Sequence, residues 1–485
     1  MADLTLVNLN MLYVRYVDSV DRELHLPLGP LYLVSALEAA GYDVDFRDYQ
    51  LADVEDPFAI DAIVEFCADP APVIGLSCMA NLLPFTILAA RELKARYPDR
   101  TLVLGGVGPK SVEARLLERF PWIDLVAYGE GERSVVALLA ALTNGGDLSD
   151  VAGLFFRDGT TIRQTPPAER IEELDDLPLP AYGRVPVERY DAYGMITSRG
   201  CPYKCSFCSV APIWGHRSFV RDPESILREM RLIREASGAD LFLFQDEFFV
   251  SSKRNVLAFC DALARSDLKV RYKAFGRVNL TDRETMDALA ETGCVELRYG
   301  IESGSDRILE LTQKGFTSEE SVRVVSEATT IFPRVDTFFI WGFPFETMED
   351  FYQTVFQMMA FRLMGARILP SLLCLLPQTE LYERLTSEER DNLTLRPELM
   401  PEYMVTGHEV YQGGRTSAVG EHQPIFDFIA EHRDLFPGFF LLDPDDTLAQ
   451  KLTILRQHGF YTSARLDLKE TDSCGAHSPQ EPGSD

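Results

Sequence analysis

The sequence has no long hydrophobic runs and relatively few basic residues. No stretch of 18 apolar residues occurs among its 485 residues, so no transmembrane helix is predicted, and residues 1–18 do not have the pattern of a signal peptide. Lys and Arg total 47 against 75 Asp and Glu, a formal charge of −28. This charge argues against nucleic acid and anionic membranes as partners, because their phosphates would be repelled over most of the surface.

Cysteine is scarce, and the nine cysteines are an odd number for a disulfide framework. Most are scattered, which predicts a reducing, cytoplasmic location. Three of them, Cys201, Cys205 and Cys208, lie within eight positions in SRGCPYKCSFCSV (198–210), spaced C-x3-C-x2-C. No fourth cysteine follows nearby, although most protein metal sites have four ligands.

Three thiolates on one loop can ligate three irons of a [4Fe–4S] cluster and leave the fourth iron open to a substrate or cofactor. A zinc site is the alternative, since His216 could complete a Cys3His set. Zinc sites more often use well-separated C-x2-C pairs, and this sequence has none. The spacing therefore favours an iron–sulfur cluster.

Residues 1–142 alternate between strand and helix patterns, which predicts a doubly wound, Rossmann-like parallel sheet. Residues 143–192 are rich in Gly, Pro and Asp and predict a linker with one hairpin at 153–164. The predicted strands are 4–9, 42–49, 73–79, 101–109 and 124–132, and the predicted helices are 27–41, 84–98, 110–120 and 132–142.

The alternation resumes over residues 193–385, where six strand–helix units predict a partial (β/α)6 TIM barrel with its chemistry at the carboxyl ends of the strands. Residues 386–470 are predicted to be mainly helical and to cover the substrate, and 471–485 to be disordered. The predicted barrel strands are 194–198, 240–246, 269–276, 294–302, 335–342 and 366–374.

The cysteine spacing, with Phe207 before the last cysteine, resembles the signature of the radical S-adenosylmethionine (SAM) enzymes. The resemblance implies that the amino and carboxylate groups of SAM bind the open iron. One electron from the cluster would then cleave SAM to methionine and a 5′-deoxyadenosyl radical. Such a radical abstracts hydrogen from carbon atoms that acid–base chemistry cannot reach.

Later segments resemble the same family in the order of its strands. Asp246 and Glu247 follow the second strand, where the family places acceptors for the SAM ammonium group. Arg277, after the third strand, could pair with the SAM carboxylate, although a surface arginine is an equally good interpretation. The resemblance of RYGIESGSDRIL (298–309) implies that Glu302 accepts from the ribose hydroxyls, assisted by Ser303.

The segment IWGFPFET (340–347) resembles the fifth-strand element of the family, whose backbone lines the adenine. Gly342 and Pro344 would form that lining, and Glu346 is a further member. Each element alone could be an ordinary helix cap or turn. Four of them in the family's order make the resemblance specific over residues 190–350.

The first region could instead be a dehydrogenase domain, but no G-x-G-x-x-G follows its first strand. It resembles the cobalamin-binding domain that precedes many radical SAM barrels. The resemblance implies positions where the backbone approaches the nucleotide tail or corrin edge, namely Ser77, Gly105, Gly106, Gly129 and Glu130.

Many cobalamin-binding domains ligate cobalt through the histidine of D-x-H-x-x-G, and this motif is missing here. His25 is the nearest analogue, but a loop histidine is the better interpretation. Cobalamin is therefore expected to bind without a protein histidine under the cobalt.

Together, these resemblances imply a cobalamin-dependent radical SAM enzyme. The leading hypothesis is methylation of an unactivated carbon in a small-molecule natural product or a peptide. Cyclisation or rearrangement without methyl transfer is the second hypothesis, and a non-enzymatic iron–sulfur or zinc module the third. The expected protein partner is a reductant such as flavodoxin or ferredoxin, and the chain is expected to be monomeric.

Aromatic residues of the last third of the chain could line a pocket, but core packing is the better interpretation. Cys294 and Cys374 are likewise interpreted as small hydrophobic core residues. The aromatic residues are Phe356, Phe361, Tyr403, Tyr411, Phe426, Phe428, Phe436, Phe439 and Phe440.

Overall fold

The structure is a computed structural model, and it describes residues 2–10, 12–15, 20–54, 57–190, 192–396 and 423–460. The predictions for Tyr403, Tyr411 and the tail 471–485 fall outside these ranges. Among the described helices, none has both the length and the hydropathy that a membrane span needs.

The first region forms a seven-stranded sheet in the order β4-β1-β5-β6-β7-β8-β9, parallel from β4 to β7. Its strands, with the separate pair β2–β3, are β1 Leu4–Asn8, β2 Leu12–Arg15, β3 Val20–Glu23, β4 Val44–Asp48, β5 Val73–Ser77, β6 Thr101–Gly105, β7 Leu125–Ala127, β8 Leu154–Asp158 and β9 Thr161–Gln164. The helices of this region are α1 Leu28–Ala39, α2 Ile60–Phe66, α3 Leu83–Arg96, α4 Glu113–Arg119 and α5 Gly131–Asn144.

The doubly wound fold is thereby confirmed, and its central strands show why it forms. All five residues of β1 and of β5 are buried. Parallel strands covered by helices on both faces need such continuous apolar runs. Helix α2 was not predicted.

The hairpin predicted at 153–164 is present as β8 and β9, and it pairs antiparallel with β7. These two strands extend the first sheet beyond its parallel part. The prediction of a linker over 143–192 is therefore corrected for residues 154–164, which belong to the sheet.

The second region is a six-stranded sheet in which every neighbouring pair is parallel and follows chain order. This is the predicted partial barrel. Its strands are β10 Tyr193–Met195, β13 Leu241–Phe244, β14 Arg271–Gly276, β15 Cys294–Glu302, β16 Arg334–Trp341 and β17 Arg367–Leu372, and a short separate pair is formed by β11 Ser198–Arg199 and β12 Phe219–Val220. The helices are α6 Val210–Trp214, α7 Pro223–Ser237, α8 Lys253–Arg265, α9 Arg283–Glu291, α10 Asp306–Leu311, α11 Ser318–Ala328 and α12 Met348–Leu363.

The described part of the C-terminal region is helical, as predicted. Its helices are α13 Glu380–Glu383, α14 Ser387–Asp391, α15 Gln423–Glu431 and α16 Leu448–Gln457. Most of the aromatic residues considered above pack in the core, and Phe428 is half-buried. Phe356 is the exception, because 75% of its surface is exposed and it belongs to neither core nor pocket. Cys294 is buried and Cys374 is half-buried beside Gly438.

Helix α16 is joined to the turn after β16 by a buried ion pair. Lys451 donates to the Glu346 carboxylate at 2.8 Å and to its carbonyl oxygen at 3.1 Å. Both side chains are almost fully buried, and burial raises the pKa of Glu346 although Lys451 opposes the shift. Removing one partner would leave an uncompensated charge in the core.

We expect Lys451→Met to lower the free energy of unfolding by about 3 kcal/mol, because Glu346 loses its cation. The double variant Lys451→Met/Glu346→Gln should recover most of this loss. Denaturant unfolding of the full chain measures both. Lys253→Met is the control, since its pairs with Asp282 and Glu284 are exposed and should contribute little to the free energy of unfolding.

Candidate active site

A cavity of about 310 Å³ lies where the carboxyl ends of the first sheet meet the start of the barrel. Ser198, Arg199, Trp214 and Glu247 line it from the barrel side. Its wall on the side of the first sheet contains all five positions predicted to approach cobalamin, namely Ser77, Gly105, Gly106, Gly129 and Glu130.

Two of these glycines have backbone conformations that favour glycine. Gly106 has a φ of +83°, and a Cβ atom there would lie 2.5 Å from the carbonyl oxygen of Cys78. Gly129 has a φ of +81°, but a Cβ atom there would meet nothing within 4 Å. Gly129 lines the cavity and has free space where a side chain would be, whereas at Gly106 a side chain would collide with the backbone.

The structure gives the Glu130 side chain, which lines the cavity, hydrogen-bond partners that the sequence did not predict. Its carboxylate accepts from Arg199 at 2.9 Å and from the backbone N–H of Ile171 at 2.7 Å. Glu132 accepts from the second nitrogen of the same guanidinium at 2.8 Å. The sequence argument missed Arg199 and Glu132, and the only signal was their position beside the cysteine and glycine motifs.

The three cysteines lie on the loop between β11 and α6, at the entrance of the barrel. All three are free thiols of intermediate exposure. Burial raises the pKa of Cys201, and it raises the pKa of Cys208 to about 11. Ligation of a metal must therefore displace protons from these thiols.

The donor set suits an iron–sulfur cluster better than zinc. Three thiols share one loop, and a [4Fe–4S] cluster takes one thiolate on each of three irons. A zinc site instead gathers its ligands around one ion. Within the described ranges, no three His, Cys, Asp or Glu side chains are arranged to hold a metal ion, and His216 is exposed.

The two carboxylates after β13 have separate surroundings. Asp246 is buried and accepts from the backbone N–H groups of Thr197 and Ser198 at 2.6 and 2.9 Å, and also from the Thr197 hydroxyl. Glu247 lines the cavity and accepts from the N–H of Gly200 at 3.1 Å. Asp246 therefore anchors the chain before the cysteine loop, and Glu247 is the carboxylate that reaches the site.

Arg277 is buried beside the cysteine loop, so its interpretation as a surface arginine is wrong. Its guanidinium carbon lies 3.6 Å from the ring centre of Tyr203, and one nitrogen lies 4.0 Å from the sulfur of Cys205. It also donates to the carbonyl oxygen of Lys314. This places a fixed cation beside the thiols.

Glu302 ends β15 with a φ of +69° and pairs with Lys314 at 2.9 Å. Sequence reasoning missed Lys314, which is buried and lies 6.0 Å from the ring centre of Phe207 on the cysteine loop. Ser303 is fully buried and shares a hydrogen bond of 2.9 Å with Thr354. The Ser303 hydroxyl is therefore engaged with Thr354 beside Glu302.

The turn after β16 is shaped by its own carboxylate. The N–H of Gly342 donates to Glu346 at 2.9 Å, and a Cβ atom at Gly342 would lie 2.7 Å from Leu372. Pro344 is half-buried in the same turn. His25 lies 3.3 Å from Gln245 and is not among the residues that line the cavity, consistent with a loop histidine.

Comparison with known families defines the class of the protein. Residues 195–358 match the radical SAM superfamily, and residues 16–139 match the B12 binding domain. The chain thus carries a B12-binding domain in front of a radical SAM domain.

Individual relatives agree with this class. An uncharacterised methyltransferase of Pyrococcus horikoshii is 29% identical over 334 residues, which are 68% of this chain and 72% of that protein. An anaerobic magnesium-protoporphyrin IX monomethyl ester cyclase of a Synechocystis species is 28% identical over 335 residues, 67% and 66% of the two chains. The radical SAM methyltransferase TsrM of Kitasatospora setae, solved with cobalamin and a [4Fe–4S] cluster, shares the fold with a TM-score of 0.62 at 21% identity over 82% and 76% of the chains.

The chain therefore belongs to the cobalamin-binding radical SAM enzymes. A [4Fe–4S] cluster, SAM and cobalamin are its cofactors.

We expect Gly106→Ala to destabilise the chain by about 3 kcal/mol, because the new Cβ adds a backbone collision to the cost of a positive φ. Gly129→Ala is the matched control, with a similar φ but free space, and should cost about 1 kcal/mol. Denaturant unfolding compares the two variants. Equal losses would contradict the tight packing inferred at Gly106.

Burial raises the pKa of Asp246 to about 7 from its ordinary value of 3.8. Between these values the unfolded chain releases the proton and the folded chain keeps it, so stability falls as the pH rises. Relative to Asp246→Asn, the free energy of unfolding of the wild type should fall by about 4 kcal/mol between pH 4 and 7 and should not fall further above pH 7. Unfolding curves of both proteins from pH 4 to 8 test this, and a constant difference would contradict it.

Proposed function

We propose that this protein methylates an unactivated carbon of a small-molecule or peptide substrate. The observation that carries the proposal is that residues on either side of the cysteine loop and the predicted cobalamin positions line one cavity. Ser198 and Arg199 directly precede the loop, and they line the cavity opposite Gly105 and Gly129. Two reactive centres on either side of a substrate are the arrangement that group transfer requires.

Different residues of the chain would bind the cluster and SAM. Cys201, Cys205 and Cys208 would hold the cluster, while Glu247 would accept from the ammonium group of SAM at the cavity. Arg277 lies beside Cys205, where its charge would attract the SAM carboxylate. The open backbone at Gly129 leaves room for a bulky ligand in the opposite wall.

The bound cofactors supply a 5′-deoxyadenosyl radical from SAM and a methyl carrier in cobalamin. The chain has to keep these two centres apart and exclude water between them. Most of the cavity wall is apolar, with Leu4, Leu6, Val103 and Leu138 among its residues. The apolar part of the wall offers no acid or base to a ligand bound against it.

A radical cyclisation without methyl transfer is the second candidate, because one relative of similar identity is a cyclase. The same cavity and cysteine loop would serve it. The two reactions differ in whether the methyl group of SAM reaches the product.

We propose further that the enzyme works as a monomer in the cytoplasm with a small electron-transfer protein such as flavodoxin or ferredoxin. Eight cysteines of the described ranges are free thiols, which a reducing compartment maintains. The charge of −28 supports a small molecule or peptide over nucleic acid as the substrate.

Anaerobically reconstituted enzyme, given dithionite and SAM with a CD3 methyl group, tests the reaction. Mass spectrometry of candidate substrates should find a product in which one CD3 group replaces a hydrogen atom, with 5′-deoxyadenosine formed alongside it. A product without the label, at the same yield of 5′-deoxyadenosine, would favour cyclisation. Full activity in cobalamin-free enzyme would contradict the proposed methylation.

Cys208→Ala should lose the iron–sulfur absorption and all 5′-deoxyadenosine formation, because one iron loses its ligand. Cys374→Ala is the matched control, a free thiol away from the loop, and should keep both. Equal iron content in the two variants would show that the loop does not hold the cluster.

A further inference from the structure

One ionic cluster joins the two regions of the protein beside the cysteine loop. It consists of the Arg199 guanidinium and two carboxylates at the start of α5. Glu130 and Glu132 each bind a different nitrogen of Arg199, at 2.9 and 2.8 Å. All three side chains are at most 7% exposed. A guanidinium held in this two-point manner cannot rotate without breaking a bond.

Aromatic rings fix the same guanidinium from its faces. Its carbon lies 5.6 Å from the ring centre of Tyr32 on α1 and 5.2 Å from that of Trp214 on α6. Arg170 lies equally close to Trp214 and is 3.5 Å from the Glu130 carboxylate. With Arg170 included, two cationic side chains face the two carboxylates of the cluster.

The position of Arg199 in the chain gives this cluster a functional consequence. It lies two residues before Cys201, so at most about 7 Å of backbone separates it from the first cluster ligand. Gly200, between them, is fixed by its hydrogen bond to Glu247. A Cβ atom at Gly200 would lie 2.4 Å from the carbonyl oxygen of Arg217, so the two backbone segments are closely packed there.

Glu130 and Glu132, the carboxylate partners of Arg199, lie in the cavity wall on the side of the first sheet. Glu130 directly follows Gly129 and forms the N-terminal cap position of α5, whose first turn lines the cavity. A displacement of this turn would therefore move the cavity wall. The ion pairs between Arg199 and the two carboxylates therefore link the cysteine loop to the cavity wall, so that a displacement of one would displace the other.

We propose that Arg199 is a positioning residue that sets the separation between the iron–sulfur cluster and the cobalamin site, through its ion pairs with Glu130 and Glu132. The inference rests on the proposed function for what the two sites contain. The ionic link itself depends only on residues of the chain. Arg199 acts through the loop and the wall, and it takes no part in the chemistry.

Hydrogen exchange of the full chain, measured by mass spectrometry without cofactors, tests the link. Glu132→Gln changes a residue of the first region. It should raise the hydrogen-exchange rate of amides 198–209, on the barrel side, by about tenfold or more, because Arg199 loses an ion pair that anchors this segment. Arg199→Gln should raise exchange of amides 129–135 similarly. Exchange in β15 and β16 should stay unchanged in both variants.

Arg217→Gln is the matched control, since it removes a nearby arginine whose pair with Glu172 is exposed. It should leave both segments unchanged. Effects confined to the side of each substitution would overturn the proposal. So would uniformly faster exchange throughout the chain, which would assign the pair a general role in stability.

The loaded enzyme provides a second readout. Pulsed electron paramagnetic resonance between cob(II)alamin and the dithionite-reduced cluster should give a broader distance distribution in Arg199→Gln than in wild type, with Arg199→Lys in between. An unchanged distribution would overturn the proposal. Failure of the wild type to bind cobalamin would instead count against the proposed function, and hydrogen exchange would still decide the role of Arg199.

Discussion

The contact between Arg199 and the first turn of α5 is the interaction on which the site depends. Parallel sheets present their functional loops at the carboxyl ends of the strands. Two such sheets in one chain share a site only if those ends face each other. The buried ion pairs from Arg199 to Glu130 and Glu132 hold them in that arrangement.

Ion pairs also organise the surroundings of the cysteine loop. Arg277 and Lys314 bring two cations towards Cys205 and Phe207, and the Lys314 charge is balanced by Glu302. At the far side of the barrel, Lys451 balances Glu346 in the turn after β16. Both buried lysines have a carboxylate partner from another segment, because an isolated charge in the interior is too costly to retain.

Much of the architecture could be predicted because it depends on local patterns. Continuous apolar runs such as β1 and β5 identify buried parallel strands, and a C-x3-C-x2-C loop is recognisable without any structure. The hairpin β8–β9 was also visible, but not its pairing with β7. Strand pairing joins residues far apart in the chain, and nothing in the hairpin sequence names its neighbour.

The sequence by itself determined the two folds, and it predicted the three cysteines of the cluster loop and the glycines that line the cavity. Only the tertiary structure decided what the charged residues do. It made Glu130, which lines the cavity, also the partner of Arg199, and it made Asp246 an anchor for Thr197 and Ser198. The physical reason is that a carboxylate in a sequence can pair with any donor, whereas a buried carboxylate binds only the donors that the fold brings within reach.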